Sequence, residues 1–381
     1  ALIQILNRFA VAVANYQDKN SGLWWDIMDM PGKGKNYEEA SASCMFVYAM
    51  AKGVRLGYLP EKFLANVQKG YEGILNKFVK IEDGQVNLHG TVSVSGLGGK
   101  PYRDGSFEYY MREKVVVNDP KGVGAFILAS NEMDMIPTRK LGEGKTVMLD
   151  NFFNNETTTD ITGAKVPFHY IWDERDNNGF SLFGHVFRKF GVKTETLRAA
   201  PTARNLKNAS IYIIVDPDST KETPSPNYIR SRHINVLYNW VKGGGVLLLF
   251  ANDPSNVETV HFNELTRKFG IQLNPQSRNM VKGNNYEVGT LNVAVGHPIF
   301  KTAHKLYLKE ICTLTANPPA KAVLTDKGDV IMAVAEVGQG KVFVVGDPWL
   351  YNEYIDGRKL PAYFDNYKAA EDLVKWAIGA N

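Results

Sequence analysis

Residues 36–46 read NYEEASASCMF. Glu38, Glu39, Ser41 and Ser43 open a segment that then runs apolar through Cys44, Met45, Phe46, Val47, Tyr48, Ala49, Met50 and Ala51. A surface helix carries one apolar stripe, so a helix over 39–58 with apolar residues on every side must be enclosed. Its polar first turn then faces something other than core.

The flanking segments differ from it in a regular way. In 1–16, Leu2, Leu6, Phe9 and Val13 recur at helical spacing. In 61–79, Phe63, Leu64, Val67, Tyr71, Ile74, Leu75 and Phe78 share one face, opposite Glu61, Lys62, Gln68, Lys69, Glu72 and Lys77. Pro120 stands where a first helical turn tolerates proline, behind the capping candidates Asn118 and Asp119, and the run 123–129 is again apolar all round. Buried, outer, buried in succession predicts a two-layer ring of helical hairpins, an (α/α) toroid, over residues 1–133. Residues 84–110, rich in glycine, serine and tyrosine, read as a long loop with a short hairpin.

Residues 134–145 (DMIPTRKLGEGK) have the composition of a linker, and beyond them the periodicity changes. Strand-like runs occur at 146–150, 192–197, 211–216, 246–251, 330–335 and 342–346. Helical stretches at 180–190, 228–242, 257–269 and 366–378 alternate with several of them. That alternation predicts an open, mostly parallel sheet of flavodoxin-like type over 146–381. The fold class is therefore multidomain, α followed by α/β. In DERDNNG (173–179), Asn177 or Asn178 is the expected cap of the helix at Phe180.

With 44% hydrophobic and 22% charged residues the chain has ordinary globular composition, and its 381 residues suit two domains. A net charge of +4 with interspersed signs gives no case for nucleic acid. The longest apolar run, at 246–251, is strand-sized and far short of the ~18–20 residues of a membrane span. Cys44 and Cys312 are too far apart in sequence for a metal or redox motif, and no spacing of Asp26, Asp29 or the histidines calls for a metal or cofactor. The chain opens at Ala1 inside a helical pattern, from which the loss of an upstream segment is expected.

Four stretches carry a family resemblance: YQDKNSGLWWDIMDMPG (16–32), NYEEASASCMFVYAMAKGVRLGYL (36–59), VSGLGGKPYRDGSFEYY (94–110) and NDPKGVGAFILAS (118–130). In this order they resemble glycoside hydrolase family 105, the unsaturated rhamnogalacturonyl hydrolases, over roughly the last third of the catalytic domain. The resemblance implies a partial six-hairpin (α/α)6 toroid. It also implies a substrate ending in a Δ4,5-unsaturated galacturonyl residue, whose double bond is protonated and hydrated. The segments bearing the family's acid/base aspartate and uronate-gripping cluster are not among those matched, so no catalytic residue is assigned and the chain alone is expected to be inactive. A partial toroid leaves apolar faces open, for which the partner would be the N-terminal part of the same protein or a second copy. Pectin fragments are often processed outside the cytoplasm, which favours a periplasmic or secreted location.

Substrate-binding candidates follow from the loops that precede the inner helices. Tyr37, Glu39 and Ser41 stand at one helix mouth, Trp24 and Trp25 offer faces on which sugars stack, and Tyr102, Arg103 and Tyr109 lie in the long loop. Bland roles compete: Glu39 and Ser41 as caps, one tryptophan as core, Arg103 paired with Asp104, His89 as a structural loop histidine. In the second half, WVKGGGVLLLFAND (240–253), HPIF (297–300) and GQGKVFVVGDPWLYNEY (338–354) resemble the class I glutamine-amidotransferase-like sheet domains. The turn after their nucleophile strand here reads Asn252-Asp253-Pro254, without cysteine, so the resemblance implies an accessory module rather than that reaction. Asp216, Asn252, Asp253, Asp347, Trp349 and Asn352 would line its crevice at the strand C-termini. The competing reading for the whole chain is a non-catalytic carbohydrate-binding or oligomerisation module.

Overall fold

The computed structural model describes residues 1–355 and 357–380, which divide into compact units at 1–139 and 140–381. The first unit is helical. Helix α1 (Leu2–Asn15) leads through a long loop to α2 (Ala40–Arg55), and a short 3-10 turn then opens α3 (Leu64–Lys77). A hairpin of β1 (Val79–Glu82) and β2 (Gln85–Leu88) follows, then β3 (Thr91–Val92), the single turn α4 (Phe107–Tyr110) and β4 (Val115–Val116), which pairs with β3. Helix α5 (Pro120–Met135) starts with Pro120 in its first turn and the Asp119 carboxylate accepting from the Lys121 amide at 2.9 Å. It continues to Met135, buried, so the stretch read as linker begins as helix.

Helix α2 is the centre of this unit, as its sequence requires. Cys44, Val47, Met50, Ala51 and Val54 are buried in one cluster with Trp24, Val67, Ile74, Ala125 and Ala129, contributed from the neighbouring loop and from α3 and α5. At ~25 cal/mol per Å2 of apolar surface removed from water, each of the larger of these side chains (Val47, Met50, Val54, Val67, Ile74) stabilises the unit by roughly 1.5–3 kcal/mol. Gly70 and Gly73 let α3 approach closely: a Cβ on Gly73 would lie 2.2 Å from the Ser21 carbonyl oxygen. The expectation that the apolar helix at Pro120 is enclosed is corrected. Gly122, Ala125, Ala129 and Met135 are buried, but Ile127 is 60% exposed and Leu128 stands beside it in solvent. Helix α1 is open in the same way, with Leu2, Ile3, Ile5 and Phe9 exposed. A groove of about 670 Å3 along Val79, Val86, Leu88, Val123, Phe126 and Ile127 continues the apolar surface of α5.

The second unit is an α/β sheet. Its strands are β5 (Thr146–Asp150), β8 (Lys193–Leu197), β9 (Ile211–Val215), β10 (Val246–Phe250), β11 (Ile271–Arg278), β14 (Ile311–Ala316), β15 (Ala320–Asp326), β16 (Asp329–Val337) and β17 (Gly340–Val345). Small ribbons of β6 (Thr157–Thr159) with β7 (Lys165–Pro167) and β12 (Thr290–Asn292) with β13 (Lys305–Tyr307) lie outside it. The helices are α6 (Ser181–Lys189), α7 (Ser231–Lys242), α8 (Thr259–Arg267), the single turn α9 (Asn352–Ile355) and α10 (Asn366–Ile378).

Strand order is β11-β14-β16-β17-β10-β9-β5-β8, with β15 also on β16. Strands β17, β10, β9, β5 and β8 run parallel, and their near-continuous apolar runs put core on both faces of the sheet. An antiparallel wing of β16, β14, β11 and β15 extends it. Phe250 pairs with both Val215 and Val345, so three parallel strands end level and carry Asp216, Asn252 and Asp347 past one edge.

The expected cap of α6 is corrected. Neither Asn177 nor Asn178 caps it; the Asn352 amide oxygen accepts from the Leu182 amide at 3.0 Å. The same side chain donates to the carbonyls of Glu174 at 3.0 Å and Asp176 at 2.8 Å, so one buried residue fastens α9, the 173–179 loop and α6. Asn352→Ala strands all three groups without a partner and is expected to lower the stability of the α/β unit by about 2–3 kcal/mol, read as a lower urea midpoint for the unit's far-UV circular dichroism transition.

Candidate functional site

The polar turn before α2 is built from two paired segments. Trp25 and Glu38 bridge antiparallel, the Asp26 amide donates to the Tyr37 carbonyl at 2.8 Å and the Glu39 amide to that of Trp24 at 2.9 Å. Most of the turn is spent internally. Glu39 is the N-cap of α2: its carboxylate accepts from the Ala42 amide at 2.6 Å, the Val92 amide at 2.9 Å and the Ser41 hydroxyl at 2.9 Å. Asn36 donates to the carbonyls of Ile27 and Met30, and Glu38 pairs with Lys77. Glu39 therefore takes its bland role as the cap, and Ser41, inside the first turn, spends its hydroxyl on that carboxylate.

What the turn leaves open is Asp26 and Tyr37. Both are half-buried, and both the Asp26 Oδ2 and the Tyr37 hydroxyl are shielded from solvent without a hydrogen-bond partner. Burial, and then the Glu39 charge, raises the Asp26 carboxyl to about 6. Burial also pushes the Tyr37 hydroxyl upward, reinforced by the charges of Asp26, Glu39 and Glu113. Asp26 and Glu113 were missed as site residues. The only sequence signal was that Asp26 ends the run GLWWD opposite NYEE.

Trp24 does not serve as a stacking face. It is fully buried, its indole N–H donates to the Val13 carbonyl at 2.8 Å and its ring packs edge-on to Phe46. Trp25 is partly exposed, with its N–H 3.3 Å from Asp18. In the long loop Tyr109 is buried and donates to the Gly96 carbonyl at 2.8 Å, which closes the loop on itself. Tyr102 is exposed. Arg103 is not paired with Asp104, which instead accepts from the Ser106 amide at 3.0 Å. Its Nε donates to the Gly98 carbonyl at 3.0 Å, and a Cβ on Gly99 would lie 2.9 Å from its Nη2, so the glycines wrap the guanidinium. Among the described residues no carboxylate pairs with Arg103, which leaves its Nη donors free. The loop meets the turn through Glu113, whose charge acts on both Tyr37 and Tyr109, and through Lys33, 4.7 Å over the Phe107 ring. His89 is a surface partner of Glu82 at 3.1 Å.

At the strand edge of the α/β unit the expected crevice residues separate. Trp349 is core, packed against Phe300, and Asn352 is the clamp described above. Asp253 closes its own turn on Ser255 and Asn256. Asp216 and Asp347 remain buried with one oxygen each unpartnered, and burial drives both carboxyls well upward. Cys312 lies inside β14, where burial pushes its thiol up to about 12, far from a reactive thiolate. Among the described residues no three His, Cys, Asp or Glu side chains gather to hold a metal.

Residues 1–136 match the family model of Glycosyl Hydrolase Family 88. Over this stretch the chain is similar to that family. Residues 173–359 match a domain of unknown function, DUF4350. Two curated proteins, "Protein Atu3128" of Agrobacterium fabrum and the "24.9 kDa protein in picA locus" of Rhizobium radiobacter, are each 40% identical over 119 residues, 29% of this chain and 51% of their own. The chain spans about half the length of the curated relatives it matches. A solved glycoside hydrolase of family 105 from C. acetobutylicum is 48% identical over 34% of this chain and 37% of its own, with a TM-score of 0.34.

The raised Asp26 carboxyl has a consequence for stability. The folded state holds its proton more tightly than the unfolded chain, so Asp26 costs nothing below about pH 4 and its full penalty above about pH 6. Asp26→Asn is therefore expected to gain stability over the parent as pH rises from 4 to 6 and to keep a constant advantage above that. Paired urea melts across this range measure the difference.

Proposed function

We propose that the first unit is one wall of the active site of an unsaturated rhamnogalacturonyl hydrolase, whose substrate ends in a Δ4,5-unsaturated galacturonyl residue. The observation that carries this reading is Arg103, a cation with free Nη donors in the loop that meets the turn where Lys33 lies over the Phe107 ring. A planar guanidinium suits a uronate carboxylate, and fixed in a glycine-lined loop it loses little freedom on binding. Trp25 and Tyr37 supply partly exposed aromatic faces, and Tyr37 and Asp26 supply unpartnered polar atoms for sugar hydroxyls. Neither is assigned a catalytic role. Glu39 is committed to the α2 cap, so a general acid has to come from outside this chain, which is inactive alone on this reading.

The open faces of α1 and α5 support the same picture, since they fit a partial toroid completed by the N-terminal part of the protein. The α/β unit would then be an appended accessory domain of amidotransferase-like build without its nucleophile, and the whole protein a periplasmic or secreted enzyme acting on pectin fragments.

Titration calorimetry of the full chain with an unsaturated galacturonyl-rhamnose disaccharide is expected to show weak binding and no sugar release. Arg103→Ala should weaken that binding at least tenfold, the ~1.5–3 kcal/mol of a charge-assisted hydrogen bond. It should leave affinity for the neutral, reduced-carboxyl disaccharide unchanged. Sugar release by the chain alone, or equal loss for both ligands, would overturn the reading.

A further inference from the structure

At the strand edge of the α/β unit, the segments after β5 and β9 are tied together closely. The Asn154 amide nitrogen donates to the Asp216 carbonyl at 3.0 Å, the Asn155 backbone amide to Asp218 Oδ2 at 3.0 Å and the Asp218 amide to the Phe153 carbonyl at 2.9 Å. Each of the four side chains is left with one acceptor atom shut away from solvent and unpartnered: Asn154 Oδ1, Asn155 Oδ1, Asp216 Oδ1 and Asp218 Oδ1.

The other oxygens are fixed. Asp216 Oδ2 accepts from the Asn252 amide at 2.9 Å, and Asp218 Oδ2 from the Thr223 hydroxyl at 2.6 Å. The orientation of the Asn154 amide is not free either. Its nitrogen must donate to the Asp216 carbonyl, so its oxygen is the atom left over. Asn154, Asp216 and Asp218 are only 2%, 4% and 2% exposed.

The surroundings supply no cation. Glu156 and Glu222 face Asp216 and Asp218, and the Tyr170 hydroxyl faces Asp216. His169 is held by Glu156 at 2.9 Å. Among the described residues no lysine or arginine pairs with Asp216 or Asp218. Four buried acceptors, two of them on carboxylates and with the Tyr170 hydroxyl as the one donor facing them, are costly to bury unless something positive sits among them. Water would satisfy single lone pairs but not the charge.

We propose that Asn154, Asn155, Asp216 and Asp218 hold a hard divalent cation of the calcium type. The donor set is oxygen only, two carboxylates and two amides, on paired loops, which suits calcium's many-oxygen shell and excludes the softer metals that want thiolate or imidazole. The ion joins the ends of two central strands, so its role is to fix the crevice edge. This assignment is independent of the glycosidase reading.

The test uses the full chain stripped with EDTA and dialysed. Calcium at a hundredfold excess over its Kd is expected to raise the melting temperature of the α/β unit by about 5–10 °C. Terbium should show sensitised luminescence that calcium displaces. Asp216→Asn and Asp218→Asn should abolish both signals. Among the described residues the Asn155 side chain makes no hydrogen bond, so Asn155→Ala should fold normally and weaken terbium binding about tenfold. No calcium or magnesium shift together with no terbium signal would overturn the proposal. So would binding that survives all three substitutions unchanged.

Discussion

The N-terminal unit depends on one buried carboxylate. Glu39 caps α2 through the Ala42 amide and takes the Val92 amide of β3 at the same time. A helix enclosed by apolar neighbours has to begin where its first amides can be satisfied without water, and Glu39 satisfies one while fixing the strand that precedes the long loop. That loop carries Arg103 and returns through Glu113 to Tyr37.

The same constraint explains which residues of the turn are available. Fully partnered carboxylates are structural, however polar they look in sequence. Glu39 has both oxygens engaged by protein donors, whereas Asp26 has a buried oxygen with none. The tryptophans divide by the same rule. The indole of Trp24 is satisfied inside the core, so its whole ring can be buried, while Trp25 reaches only an outer partner, Asp18, and stays half in solvent.

Much of the fold was legible because burial on both faces leaves a strong mark. The strand at 146–150 and the helix at 366–378 fall where the sequence puts them, the latter ending at Gly379 with φ 74°. Of the antiparallel wing only β16, read at 330–335, was legible. In β11, IQLNPQSR carries a proline and a register shift between Leu273 and Ser277, and β15 alternates buried with exposed residues, so neither gives a continuous apolar run. The cap of α6 was missed for another reason. Asn177 and Asn178 are near in sequence, but the amide that reaches Leu182 comes from Asn352. Local pattern identifies a residue able to cap; only tertiary packing decides which one does. Arg103 was legible as a candidate by residue type, while its freedom from Asp104 depended on the glycines that wrap it.

The two units meet buried charge in opposite ways. The first concentrates its carboxylates at the α2 turn but partners Glu38 and Glu39 and leaves an arginine free nearby. An anionic sugar is then met by a cation, and Asp26, raised to about 6, adds less repulsion as the medium becomes acidic. The second gathers Asp216, Asp218, Glu156 and Glu222 at a strand edge where, among the described residues, no arginine or lysine pairs with the two aspartates, a setting that disfavours an anionic ligand. A ligand common to both would have to reverse its charge between them. On the two proposed readings the helical unit meets an anionic sugar, and this edge of the α/β unit meets a cation.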